Sequence, residues 1–115
     1  IATNKPHHSF VKEFDQWFGS EQFALCLCAD QYKEKPDPAM LHVIQKTLKV
    51  ESENILMVGD TTFDIQSAKA ASCYSFGVEC GNMNAQELLA EGADGVGPEV
   101  DSLLAWLGIE EKVVQ

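Results

Sequence analysis

Apolar residues fall in short runs that alternate with stretches of helical spacing. Residues Ile1 to Thr3 read as the tail of a strand whose beginning is absent. Pro6 then opens a helix, where its missing N–H costs nothing. Phe10, Val11, Phe14, Trp17 and Phe18 follow with helical spacing, the last two as core, and Gly19 is the expected stop. Phe23 to Ala29 is one continuous apolar run and reads as a strand buried on both faces. A polar loop, Asp30 to Pro36, precedes Asp37-Pro38, an N-cap and first-turn proline for a helix carrying Met40, Leu41, Ile44 and Leu48 on one side. Ile55 to Val58 predicts another strand, ending at Gly59-Asp60. Thr61 and Asp64 have capping-box spacing, with Asp replacing the usual Glu or Gln. A small-residue helix from Phe63 to Ala71 and a strand from Tyr74 to Val78 come next. Helices over Asn84–Glu91 and Ser102–Leu107 end at Gly92 and Gly108, with a short strand expected near Gly95-Val96.

Strands alternating with helices predict an α/β fold with a parallel sheet flanked by helices, a three-layer, Rossmann-like arrangement. The 115 residues suit a single domain. Hydrophobic content of 45% is enough to build a core. No apolar run approaches the ~18–20 residues that span a bilayer. The net charge of −10 repels nucleic acid phosphates and anionic membrane, which disfavours both as partners. Cys26, Cys28, Cys73 and Cys80 include no C-x-x-C pair and no His at zinc-finger spacing. They read as reduced, mostly buried thiols of a cytoplasmic protein.

Ligands of parallel α/β sheets bind at the carboxyl ends of strands. Thr3, Asn4 and Lys5 follow the first strand, Lys35 follows the second within Lys-Pro-Asp-Pro, and Asp60 and Asp64 follow the third. A hydroxyl, an ammonium and two carboxylates at one sheet edge suit a phosphate beside a divalent cation. His7 and His8 read as exposed residues of a first helical turn. Asp30 ends a strand, but also simply begins a polar loop. Neither Gly-x-Gly-x-x-Gly nor a Walker A loop is present.

The order Thr-Asn-Lys, Lys-Pro-Asp-Pro, Val-Gly-Asp-x-x-x-Asp resembles the haloacid dehalogenase (HAD) superfamily, closest to its phosphoglycolate phosphatase-like branch. The resemblance continues to Gly92-Ala93-Asp94. It implies a Mg²⁺-dependent phosphatase acting on a small phosphorylated metabolite. By resemblance, Thr3 hydrogen-bonds the transferring phosphoryl group. Lys35 neutralises the phosphoryl oxygens and the nucleophile, and Asn4 adds a substrate contact. Asp60 is the Mg²⁺ ligand and Asp64 supports the metal through its water. Dehalogenases of the superfamily work without Mg²⁺, and the Asp60–Asp64 pair favours a phosphatase. A phosphorelay receiver domain is excluded by order, since its carboxylates come before its Thr and Lys.

Two departures stand out. Ser72 occupies a helix-terminal position where the family usually has Gly. The family's first motif, Asp-x-Asp-Gly-Thr, is absent from these residues, as is the cap domain. Its first Asp is the nucleophile. Residues 1–115 therefore resemble the C-terminal portion of a HAD-like hydrolase core, with the first core strand absent, and little activity is expected. In the family that strand lies between those of motifs II and IV. Its absence leaves two open parallel edges. The expected outcomes are direct pairing of those strands or, more favoured, a homodimer or intertwined oligomer. The alternative function is a non-catalytic truncated module that oligomerises and at most binds Mg²⁺ or phosphate.

Overall fold

The structure, a computed structural model, describes residues 1–17 and 23–109. Among the described residues, five strands and five α-helices run in the order β1 (Ala2–Thr3), α1 (His7–Trp17), β2 (Leu27–Cys28), α2 (Ala39–Leu48), β3 (Leu56–Gly59), α3 (Thr62–Ala70), β4 (Tyr74–Val78), α4 (Ala85–Ala90), β5 (Gly95–Gly97) and α5 (Asp101–Trp106). A 3-10 turn over Ser52–Asn54 leads into β3. Every pairing is parallel, and the strands form two sheets, β1-β2 and β3-β4-β5. The α/β class and the layering thus follow the alternation of apolar runs.

In the larger sheet, side-chain parity sorts the helices. Met57 packs with Leu41 of α2 and Ala68 of α3. Met57 lies opposite Ser75 in the ladder, and Gly77, two residues on, lies beneath Leu88 of α4. These helices therefore share one face. Phe76 points the other way and meets Trp106 of α5, their rings 5.3 Å apart and tilted by 52°. Gly95 and Gly97 flank that contact. A Cβ on Gly95 would fall 2.5 Å from the Trp106 indole nitrogen, and one on Gly97 would fall 2.3 Å from the Ser102 Cβ. Side chains at either position would push α5 off the sheet.

Helix ends follow local chemistry. The Thr61 hydroxyl accepts from the Asp64 N–H, and the Asp64 carboxylate accepts from the Thr61 N–H, a reciprocal capping box. Asn84 accepts the Glu87 N–H at 2.9 Å to cap α4. Ser72 has φ +59°, the left-handed conformation that favours the glycine expected there. Gly92 and Gly108 also have positive φ, as befits their roles as stops. The Gly19 stop and the core role of the Trp17 and Phe18 side chains lie outside the described residues and side chains.

Three expectations are corrected. The apolar run Phe23–Ala29 yields only two strand residues, Leu27 and Cys28. A ladder cannot outrun its partner, and β1 is itself two residues long. Helix α2 begins at Ala39, with Pro38 rather than Asp37 at the N-cap. Asp37 still serves the helix, because its carboxylate accepts the Ala39 N–H at 2.9 Å. The strand expected over Ile55–Val58 is shifted by one residue, to Leu56–Gly59.

Strands β1 and β3 do not pair. A cleft of about 380 Å³ separates them, with Ile1 and Ala2 on one wall, Leu56 and Val58 on the other, and Leu41 and Ile44 of α2 lining it as well. The direct closure entertained from sequence is therefore not realised within this chain.

Candidate phosphoryl- and cation-binding site

The carboxyl ends of β1, β2 and β3 bring together residues far apart in sequence. Lys35 is the centre. Its ammonium donates to the Ala2 carbonyl at 3.0 Å and to Asp64 Oδ1 at 2.5 Å. The two side chains of this ion pair are only 12% and 6% exposed. One cation thus ties β1 to the start of α3, which follows β3.

Asp64 has no spare capacity at its second oxygen. Oδ2 accepts from the Thr61 N–H at 3.2 Å and from the Thr61 hydroxyl at 3.0 Å. Its carboxylate also fills the space above Gly59, where a Cβ would fall 2.2 Å from Oδ2. The glycine of Gly-Asp is therefore required by close approach of Asp64, not by backbone conformation.

Asp60 differs. It is half-buried, and no hydrogen bond or ion pair engages its carboxylate among the described residues. Gly81, in the loop after β4, packs against it, since a Cβ there would fall 2.5 Å from Asp60 Oδ2. That loop is closed by the Glu79 carboxylate, which accepts from the Ala85 N–H. Sequence reading missed Gly81 and Glu79, because nothing in their local pattern points across the sheet edge to Asp60.

Thr3 ends β1 half-buried, and its hydroxyl accepts from the Lys5 N–H at 3.2 Å. That bond leaves the hydroxyl proton available as a donor. Asn4 turns both of its amide groups to Lys35. Its carbonyl oxygen accepts from the Lys35 N–H at 2.8 Å, and its amide nitrogen donates to the Lys35 carbonyl at 3.1 Å. Asp30 accepts from the His7 N–H at 2.8 Å, completing the N-terminus of α1. His7 and His8 are exposed, as expected.

The donor set fits Mg²⁺ in part. Mg²⁺ takes one or two carboxylates and fills its remaining positions with water and substrate phosphate oxygens. Asp60 offers open carboxylate oxygens, and Asp64 stands four residues on at the start of α3. Among the described residues no group of three or more His, Cys, Asp or Glu side chains is placed to enclose an ion. None of the described helices is long and apolar enough to cross a membrane. All four cysteines are unpaired. Cys28 and Cys73 are buried and Cys80 is exposed.

Comparison with known proteins agrees with the geometry. The family model of haloacid dehalogenase-like hydrolases matches residues 1–78. The phosphoglycolate phosphatase of Vibrio parahaemolyticus is 35% identical over 106 residues, covering 90% of this chain and 46% of that protein. That of Photorhabdus laumondii is 31% identical over 116 residues, covering 100% of this chain and 50% of that protein. A solved structure from Bacteroides fragilis, named as a haloacid dehalogenase-like hydrolase, superposes with a TM-score of 0.84 at 27% identity, covering 90% of this chain and 50% of that one. The chain thus spans about half the length of the curated relatives it matches. With its parallel sheets, flanking helices and strand-end motifs, the chain belongs to the haloacid dehalogenase-like hydrolase family.

Proposed function

We propose that this chain supplies the phosphoryl-binding and cation-binding side of a Mg²⁺-dependent phosphatase site. On this reading residues 1–115 are the C-terminal portion of a HAD-like hydrolase core. One observation carries it: the buried Lys35 ammonium sits between β1 and Asp64, at the sheet edge that also holds the unengaged carboxylate of Asp60. Lys35 and the Thr3 hydroxyl would hold phosphoryl oxygens. Asp60 would hold Mg²⁺, with Asp64 in support. The bound ion would add positive charge against the phosphoryl oxygens. Phosphoryl transfer is catalysed mainly by positioning and by neutralising charge, which are the two things this residue set does.

The substrate class is a small phosphorylated metabolite, and phosphoglycolate is the one named for the relatives. The complete reaction of this type is attack by an aspartate on phosphorus, giving an aspartyl-phosphate that water then hydrolyses. Here Asp30 is bonded to the start of α1 and Asp64 to Lys35 and Thr61. Glu79, which follows β4, is bonded to the Ala85 N–H. With Asp60 assigned to the cation, no unengaged carboxylate at a strand end is left as nucleophile among the described residues, so the chain alone is inactive. Mixed with Mg²⁺ and p-nitrophenyl phosphate, it gives no turnover. Titration calorimetry gives Mg²⁺ and phosphate binding that Asp60→Ala and Lys35→Ala abolish. Mg²⁺-dependent turnover that is lost in Asp60→Ala overturns the inactivity. Absence of any Mg²⁺ or phosphate binding overturns the site.

The cleft supports a second reading, a non-catalytic module that associates through its open strand edges. Unpaired parallel edges invite pairing with another chain, and a homodimer or intertwined oligomer satisfies both walls. Light scattering that shows a monodisperse monomer at high concentration overturns it. Unpaired thiols suit a reducing, cytoplasmic compartment, and the charge of −10 disfavours nucleic acid and anionic membrane.

A further inference from the structure

We infer that Asn4 is a positioning residue: its amide clamps the backbone of Lys35 and thereby fixes the Lys35 ammonium between β1 and Asp64. The inference rests on the reading of Lys35 as the phosphoryl-binding cation, and gives Asn4 a role in setting it.

The geometry is a two-point lock. Asn4 Oδ1 accepts from the Lys35 N–H at 2.8 Å, and Asn4 Nδ2 donates to the Lys35 carbonyl at 3.1 Å. An amide that is both donor and acceptor to one residue fixes that residue's position and its rotation. A single hydrogen bond leaves rotation about its own axis free. Asn4 directly follows β1, and the lysine stands 31 positions further along the chain. The loop holding Lys35 runs from Asp30 to Pro36, and the residues of 30–34 are exposed. Without the clamp, loop backbone of this kind moves freely relative to β1.

The position of the ammonium follows from that lock. Lys35 reaches from its clamped backbone to the Ala2 carbonyl, two residues before Asn4, and to Asp64. Backbone clamp and side-chain anchor therefore both refer to β1, which makes one closed ring of hydrogen bonds through residues 2, 4 and 35. A flexible four-carbon side chain loses much rotamer entropy on being held. Fixing its base first reduces the number of arrangements the ammonium must give up. Both polar groups of Asn4 engage Lys35, with one N–H and one lone pair to spare, and the contribution proposed for Asn4 is the one exerted through the lysine.

The test follows the ammonium directly. In the 115-residue chain, proton–nitrogen NMR of the Lys35 ammonium measures how fast its protons exchange with water. Asn4→Ala removes both bonds. Asn4→Asp keeps the size and the acceptor but loses the donor to the Lys35 carbonyl, so it tests the clamp even if the alanine variant does not fold. The expected result is ammonium exchange faster by about tenfold in either folded variant, the scale set by losing one or two net hydrogen bonds. The amide of Ser75, bonded to Asp94 in the other sheet, keeps its wild-type exchange rate, which separates release of Lys35 from general loosening. Unchanged Lys35 exchange in Asn4→Asp overturns the inference, as does an equal acceleration at Ser75. Inorganic phosphate binding, measured in parallel, keeps the two readings apart. If the wild-type chain binds no phosphate while Asn4→Asp still frees Lys35, the phosphoryl site fails and the clamp stands.

Discussion

The two sheets are built from the same kind of sequence, yet they are held very differently. In the β3-β4-β5 sheet, strands of three to five residues pair on both sides of β4 and carry helices on both faces. In the β1-β2 sheet, two strands of two residues pair only with each other among the described residues. Additional bonds, from the Ile1 amino group to the Leu25 carbonyl and from the Ala29 N–H to the Lys5 carbonyl, extend that pairing without lengthening the strands. The proposed site draws Thr3, Asn4 and Lys35 from the weaker half and Asp60 and Asp64 from the stronger one. A site that straddles the halves needs a joint, and the Lys35–Asp64 pair is it.

Breaking that joint has the largest expected effect. Asp64→Ala leaves a buried lysine uncompensated and removes a capping box as well. A loss of ~3–5 kcal/mol is expected, the scale for truncating one partner of a buried pair. Urea denaturation measures it. Amide hydrogen exchange adds the location: β1 and β2 lose protection first, while β4 retains it. Uniform loss over both sheets would mean that the halves fold as one unit and that the contrast drawn between them is wrong.

A buried thiol in each half sharpens the comparison further. Cys28 is wholly inaccessible and Cys73 is 9% exposed. Burial raises both pKa values, helped at Cys28 by nearby Asp30 and Cys26 and opposed at Cys73 by the Gln45 amide. Static exposure alone ranks Cys73 as the more reactive. Local opening reverses the order, because Cys28 sits in the half with fewer ties. Labelling with a thiol reagent under native conditions is expected to be faster at Cys28, on the order of tenfold or more. The raised pKa values also give a pH dependence. Folding favours the protonated thiol, so the unfolded chain releases protons first. The stabilisation is fully present below the unfolded thiol pKa of ~8.5 and is lost as pH rises through the higher folded values.

These contrasts mark what the sequence made legible. Local features are readable, because they rest on neighbours in the chain: the capping box at Thr61 and Asp64, and the whole of β4. The Phe23–Ala29 run misled because hydrophobicity reports burial, whereas strand length depends on the partner. The four residue types of the site were also readable, from strand ends and family motifs. Their connections were not. The Lys35–Asp64 pair spans 29 positions and the Asn4–Lys35 clamp spans 31. Sequence spacing gives Asp64 a capping role, and the family resemblance gives it a supporting place at the metal. The structure shows it capping and pairing with Lys35, which a spacing argument confined to α3 has no means to reveal.

A smaller effect belongs to the stronger half alone. Ser72 holds a left-handed conformation after α3 at φ +59°, which costs a side chain ~1 kcal/mol relative to glycine. Ser72→Gly is expected to recover roughly 0.5–1 kcal/mol, partly offset by the greater freedom of glycine in the unfolded chain. Thermal denaturation reads the gain. Thiol labelling assigns it, because Cys73 slows while Cys28 does not.

The smallest effect on stability is expected at Asp60, and that smallness is informative. The Asp64 carboxylate accepts three hydrogen bonds from Lys35 and Thr61, whereas the Asp60 carboxylate makes none among the described residues. Asp60→Asn keeps the shape that rests on Gly81 and removes only charge. Its stability should stay within about 0.5 kcal/mol of wild type, as for other substitutions that break no structural bond. Mg²⁺ raises the melting temperature of the wild-type chain by mass action if Asp60 holds it, and the Asn variant loses that rise. A carboxylate kept for the fold would show the opposite pattern, a large loss of stability with no change in the response to Mg²⁺. A single denaturation series with and without the ion therefore tests whether Asp60 is the proposed cation ligand or a carboxylate kept for the fold.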